Sequence, residues 1–193
     1  EDAAGYFIVL DQTVRRYGLP MALYTDHHGI FIKDPGRPLT LTEQLEGRRA
    51  TTQVGRALET LGVHWIGAHS PQAKGRSERG WGTAQDRLVS ELRRAAACTL
   101  AEADVVLARY LPRQARWFGV SAADDEPAWQ AWPSVHPVEA ELCFHYPRRV
   151  EADATLGWQG RALSLPPRRD GRGWARRRVL VEEHLDGGLW VRD

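Results

Sequence analysis

The sequence predicts an α/β core followed by a small all-β barrel, and three observations carry that prediction. Two short apolar runs alternate with helical periodicities in the first half of the chain, which is the pattern of a βαβ unit. The second half changes to β-forming runs separated by glycine turns. The 193 residues, 42% of them hydrophobic, suffice for one medium domain or a small domain with a smaller companion, and this excludes a disordered chain.

Ala3, Phe7, Leu10, Val14 and Tyr17 recur every three or four residues, with Gly18 and Pro20 as the stop; the spacing predicts an amphipathic helix. Residues 21–25 are mostly apolar and end at Asp26-His27-His28-Gly29, as expected of a buried strand that presents a polar cluster at its C-terminal end. Residues 33–50, with Pro35, Gly36 and Pro38, read as a long surface loop. A second helix follows Thr52, carrying Val54, Leu58 and Leu61 on one face and Gly62 at its end, and leads into an apolar strand at 63–68. Residues 69–75 break the pattern. From about Arg76 a helix resumes with Trp81, Ala84, Leu88, Leu92 and Ala95 on one stripe. Thr99-Leu100-Ala101-Glu102 has the form of a capping box, so a further helix begins there, bent or ended by Pro112. Residues 119–141 are rich in Ala, Asp, Pro and Trp without a period and read as a linker. Beyond it, β-like runs at 149–151, 155–158, 161–165, 179–181 and 189–191 are separated by turn signals at 159–160, 170–171 and 186–188; five short strands suggest the barrel.

The composition narrows the classes. Lys and Arg number 26 against 25 acidic residues, a net +1, so any polyanion affinity must come from local patches. The two cysteines, Cys98 and Cys143, lie far apart with no CxxC, which removes a disulfide scaffold and a zinc knuckle and fits a reducing cytoplasm. No apolar run approaches the roughly 20 residues of a membrane helix, and the opening Glu1-Asp2-Ala3-Ala4 is acidic where a signal peptide would be basic. The chain opens with Glu1 inside a helical pattern, so the expectation is a fragment of a longer protein.

Asp26 at a strand end and Glu78 near a helix start are the candidate chemistry, because hard divalent cations for phosphoryl transfer take oxygen ligands. Each alone also suits a turn, a cap or a solvated charge. In order, Tyr24-Thr25-Asp26-His27-His28-Gly29 and Ser70-Pro71-Gln72-Ala73-Lys74-Gly75-Arg76-Ser77-Glu78-Arg79 resemble the second and third acidic motifs of the DDE transposases and retroviral-type integrases. Gln85-Asp86-Arg87-Leu88-Val89 follows, as in the bacterial ISNCY-like insertion-sequence transposases, which the chain resembles most.

The resemblance implies an RNase H-like core over 1–118, a linker over 119–141, and a DNA-binding SH3-like barrel over 142–193. It implies catalysis of DNA strand transfer by three carboxylates holding two Mg2+ or Mn2+ ions. Asp26 takes the second place and Glu78 the third, as catalytic and metal-binding residues. The first acid, on a strand upstream of the opening helix in that family, has no counterpart here: Asp2 and Asp11 lie on the helix itself. With the first strands missing, an exposed patch is expected where Phe7, Leu58 and Trp81 offer apolar faces, and the chain alone is expected to be inactive. The partners implied are double-stranded DNA and, in the intact protein, further copies of itself, at the bacterial nucleoid. The alternative is a non-catalytic DNA-binding remnant that occupies element ends or pairs with an intact transposase.

Lys74, Arg76 and Arg79 around Glu78 are candidate phosphate contacts and equally suit a charged helix face pairing with Glu78, Asp86 and Glu91; His69, just before the motif, is a candidate phosphate contact or equally a cap of the strand. His27 and His28, adjacent in extended chain, point opposite ways and read as turn residues. Residues 144–193 hold ten Arg and seven acids, a net +3, with clusters at Arg168-Arg169 and Arg176-Arg177-Arg178. With Trp158, Trp174 and Trp190 they read as a DNA-contacting surface or as charged edges that oppose aggregation.

Overall fold

In a computed structural model that describes residues 2–33, 37–46, 51–68, 71–168 and 170–193, with side chains at all of these except 42, 46, 71–74, 76 and 77, the first helix, α1, spans Ala3–Tyr17. Asp2 caps it by accepting the Gly5 N–H at 2.8 Å. Gly18 ends it at φ 94°, its N–H donating to Val14 O. No other residue fits there, because a Cβ would stand 2.9 Å from Gln130 O.

Backbone contacts divide the chain into two compact units, residues 1–66 with 128–193, and residues 67–127. In the first, β1 (Leu19–Pro20) pairs antiparallel with β4 (Trp129–Gln130), so part of the stretch read as a linker is tied to the N-terminal residues. The strand at Ala22–Thr25, β2, neighbours β3, His64–Gly67. The His64 N–H donates to Met21 O at 2.9 Å, and Trp65 Nε1 donates to Thr25 Oγ1 at 2.8 Å.

The region read as a loop contains a helix, α2, at Leu41–Glu46. Its signal was present as Thr40-Leu41-Thr42-Glu43: the Thr40 N–H donates to Glu43 Oε2 at 2.8 Å and the Glu43 N–H to Thr40 Oγ1 at 3.3 Å, a reciprocal cap. Glu43 is buried against Arg37, 2.9 Å away. Next, α3 (Gln53–Thr60) starts at Thr52, whose Oγ1 accepts the Gly55 N–H.

α3 also holds the C-terminal residues. Gln53 Nε2 donates to His145 O at 2.8 Å while Gln53 Oε1 accepts the His145 N–H at 2.9 Å. Arg56 Nη2 donates to Glu141 O and Cys143 O at 3.1 and 2.7 Å. These bonds dock α6 (Val138–Glu141) and the start of β5 (Phe144–Arg149) on the helix. Burial pushes the Arg56 guanidinium below its ordinary range and the Cys143 thiol up to about 12.

The first core joins both ends of the sequence: Phe7, Leu10, Val14, Leu19, Val54, Leu58 and Val63 pack with Leu142, and the Phe144 ring stands edge-on to Phe7 at 5.4 Å. The expected exposed patch is therefore absent at Phe7 and Leu58, which are 0% and 2% exposed, whereas Trp81 is 70% exposed. The C-terminal segment supplies the cover.

β8 (Arg178–Glu183) pairs antiparallel with both β5 and β9 (Leu189–Arg192), and β6 (Thr155–Trp158) forms a hairpin with β7 (Arg161–Ser164). Gln159 and Gly160 turn that hairpin at φ 46° and 77°, the left-handed pair of a tight β-turn. The first of these strands lies at 144–149, not at 149–151. Among the described residues these strands form a three-stranded and a two-stranded sheet, packed on a common core of Val150, Leu156, Trp158, Val179 and Val181.

The second unit is a helical hairpin. α4 spans Pro71–Arg94 and α5 spans Leu100–Phe118. α4 begins five residues before the expected start, with proline at its first position, where the fixed φ suits a helix and no N–H is needed. The capping box at Thr99 and Glu102 is formed. α5 runs through Pro112 without ending; Ala108, whose carbonyl the missing N–H leaves unpaired, is exposed to water. Glu91 pairs with Arg113 at 3.0 Å, and Arg87 lies over Trp117 and Phe118, so the helices run antiparallel.

Leu142→Ala removes the C-terminal contribution to the first core. It is expected to lower stability by about 2–5 kcal/mol, read by urea unfolding, with loss of packing at both Phe7 and β5 in one transition.

Candidate functional site

Asp26 follows β2 directly and is exposed at its C-terminal end. Its Oδ1 accepts the His28 N–H at 3.1 Å, a local turn that a short acidic side chain forms readily. Thr25 Oγ1, which receives the Trp65 indole N–H, donates to Asp26 O at 2.8 Å. The His27 ring stands edge-on to Trp65 at 5.7 Å, and His28 Nδ1 accepts the Ile30 N–H at 3.3 Å. His28 thus takes part in the turn, while the His27 ring packs on β3.

Glu78 is exposed on α4 and belongs to the second unit. Its pairing with Asp26 therefore rests on the sequence pattern. Arg79 is exposed, and its Nε donates to Gly75 O at 3.0 Å within the helix. Gly75 has open space where a Cβ would stand. His69 and the side chains of Lys74 and Arg76 lie outside the described residues.

The C-terminal arginines fall into two groups. Arg177 pairs with Asp193, and Arg168 pairs with both Asp193 and Asp170, the latter at 2.8 Å. Arg168 also lies 4.7 Å over the Trp174 ring. Arg176 and Arg178 remain exposed. Arg178 stands directly across from Arg149 in the β5–β8 ladder, a like-charge pair that is destabilising without an anion between the two. Neither is ion-paired among the described residues. Arg148, beside them, lies over the rings of Tyr146 and Trp158 at 5.6 and 5.9 Å. Arg148 and Arg149 were missed in the sequence because their meaning depends on strand register; the signal available was a strand rich in Arg and aromatics. Of the three tryptophans read with this surface, Trp158 is in the core and Trp190 is 63% exposed.

No described helix is long and apolar enough to cross a membrane. Over 196 aligned positions, 100% of the chain, the sequence is 33% identical to "Putative transposase y4bF" of Sinorhizobium fredii. Over 119 positions, 62% of the chain, it is 33% identical to "Transposase for insertion sequence IS1202" of Streptococcus pneumoniae. The chain is a homologue of proteins named transposases. It spans 41% of the length of the first of these transposases and matches 24% of the second. No family model matches the chain.

The Arg168 guanidinium holds the Asp170 carboxyl down at about 2, helped by the Arg172 N–H. A carboxyl depressed in the folded state favours folding above its unfolded value near 4 and loses that effect as the pH falls toward 2. Carbon-detected NMR titration of the transposase homologue is expected to give an Asp170 midpoint near 2, returning toward the ordinary value in Arg168→Gln.

Proposed function

We propose that this chain is part of an insertion-sequence transposase of the DDE type. In this reading it carries the later part of an RNase H-like catalytic core and a C-terminal β region, SH3-like in type, that contacts DNA. The single observation that carries the proposal is similarity to a transposase-named protein along the whole chain. The exposed position of Asp26 at the C-terminal end of β2 supports it, since open α/β sheets keep their sites there.

The side chains suit a hard cation. Among the described residues, Asp26 Oδ2 has no hydrogen-bond partner, and the Glu78 carboxylate has neither a hydrogen bond nor an ion pair. Both present anionic oxygen, which Mg2+ and Mn2+ prefer. Asp26 and Glu78 would hold the ions together with a third carboxylate, and bound ions would supply Lewis-acid activation of the attacking oxygen and charge stabilisation of the leaving one. The protein's own part is positional. The Thr25–Trp65 hydrogen bond fixes the end of β2, and the His28 N–H holds one oxygen of the exposed Asp26. Arg79, with Lys74 and Arg76 of the same motif, would bind backbone phosphates near Glu78.

In the C-terminal sheets, Arg149 and Arg178 present two unpaired guanidinium groups at one ladder position, and a phosphate would relieve their repulsion. The reading assigns them to duplex DNA together with Arg176, while Arg177 is held by Asp193.

In the polypeptide that carries this chain at its relatives' length, Asp26→Asn and Glu78→Gln are each expected to lower joining of a labelled element end to plasmid in Mg2+. The loss should exceed the roughly 10–100-fold typical of outer-shell changes at metal sites, while DNA binding persists. Joining that survives both changes refutes the metal assignment. For the chain itself, Arg149→Ala with Arg178→Ala is expected to weaken binding to duplexes of any sequence and to reduce the salt dependence by about two counterions, read by fluorescence anisotropy at several salt concentrations.

A further inference from the structure

Cys143, Glu182 and His184, all in the first unit, each bring one donor atom within 4.8 Å of the other two. Cys143 precedes β5, Glu182 lies on β8, and His184 opens the turn to β9. Cys143 and Glu182 are 0% and 4% exposed, and the His184 side chain is 15% exposed.

The Cys143 thiol donates to Ala140 O at 3.3 Å, a bond that ligation as thiolate would replace. His184 Nε2 is 3.7 Å from Glu182 Oε2, too far for a hydrogen bond, and has no hydrogen-bond partner among the described residues although it is out of contact with water. Donor atoms about 2.0–2.3 Å from a tetrahedral ion stand roughly 3.3–3.8 Å from one another, so the His–Glu spacing already fits. The sulfur needs to move in by about 1 Å by the same measure. The other Glu182 oxygen, Oε1, is paired with Arg192, which orients the carboxylate as outer-shell donors of metal ligands do.

The charged groups that face Cys143 are two carboxylates, Glu141 and Glu182, and two guanidiniums, Arg56 and Arg192. On the other side His184 lines a cavity of about 180 Å3 with Asp11, Glu139, Asp186 and Arg15, a site richer in carboxylates than in cations. One sulfur, one imidazole nitrogen and one carboxylate oxygen form a borderline-soft set, suited to zinc and not to magnesium.

We propose that Cys143, Glu182 and His184 bind a zinc-class divalent cation, with a non-protein fourth ligand. The ion ties the start of β5 to β8 and to the β8–β9 turn, at the segment that α3 holds. The site is independent of the Asp26 and Glu78 reading and stands if that reading fails.

The test is titration of the metal-stripped chain with Co2+ in a Cys98→Ser background, which removes the exposed thiol. One equivalent is expected to give a sulfur-to-cobalt charge-transfer band with intense visible bands of tetrahedral cobalt, and Zn2+ should displace it. Cys143→Ser should abolish the charge-transfer band. His184→Asn, at a partly exposed position, should weaken cobalt binding at least tenfold and remove the rise in melting temperature that Zn2+ gives the parent. Absence of the band, its persistence in Cys143→Ser, or an equal Zn2+ effect on melting in the parent and His184→Asn overturns the proposal. If Cys143→Ser fails to fold by circular dichroism, His184→Asn decides alone by the same two readings.

Discussion

The grip of α3 on residues 141–145 is the constraint on which the rest of the first unit depends. Gln53 presents its amide to the His145 backbone as a neighbouring strand would, offering one donor and one acceptor. Arg56 answers the Glu141 carbonyl at the end of α6 and the Cys143 carbonyl just before β5. A guanidinium in this position loses hydration, and its ordinary basicity falls accordingly. The arrangement persists because removing it would strand two buried carbonyls as well. With the segment fixed, Leu142 and Phe144 cover Phe7, and Cys143 is brought toward Glu182 and His184.

Most elements were legible in the sequence because they depend on local chemistry. The period of Phe7, Leu10 and Val14 and the stop at Gly18 define α1; Thr52 and Thr99 mark helix starts through their own hydroxyls. The misses have two sources. Local signals were passed over at Thr40–Glu43, a capping box inside an apparent loop, and at Pro71, where proline opens a helix. The other misses are nonlocal. Strand β4 exists because Gly18 lets the chain turn toward Gln130, and the cover over Phe7 comes from residues more than 130 positions away. No period in the sequence encodes a contact of that range.

The candidate site divides the same way. Asp26 could be placed at a strand end from the apolar run before it, and that placement holds. The relation of Asp26 to Glu78 rests on a motif pair, which carries no geometry of its own. Arg149 gained its meaning only from register, since it opposes Arg178 across a ladder, and a shift of one residue would turn it to the other face. The reverse applies to Arg177: the sequence grouped it with its neighbours as a basic cluster, whereas Asp193 neutralises it. Counting positive charges along the chain therefore misjudges the surface they make.

The boundary at residue 142 illustrates how composition and packing can disagree. Composition changes from helical to β near that position, which makes it a natural place to divide the sequence. Yet Leu142 is 1% exposed and belongs to the core built on α1 and α3, and β4 and α6 precede it on the same unit. A chain cut there would expose Phe7, Leu19 and Leu58 on one piece and Leu142 and Phe144 on the other. Each large apolar side chain contributes about 1.5–3 kcal/mol when buried, comparable with a sizeable share of the stability of a domain this small. Residues 1–66 and 128–193 are therefore one compact unit, and the β region cannot be expected to move freely as a tethered module while α3 keeps its hold.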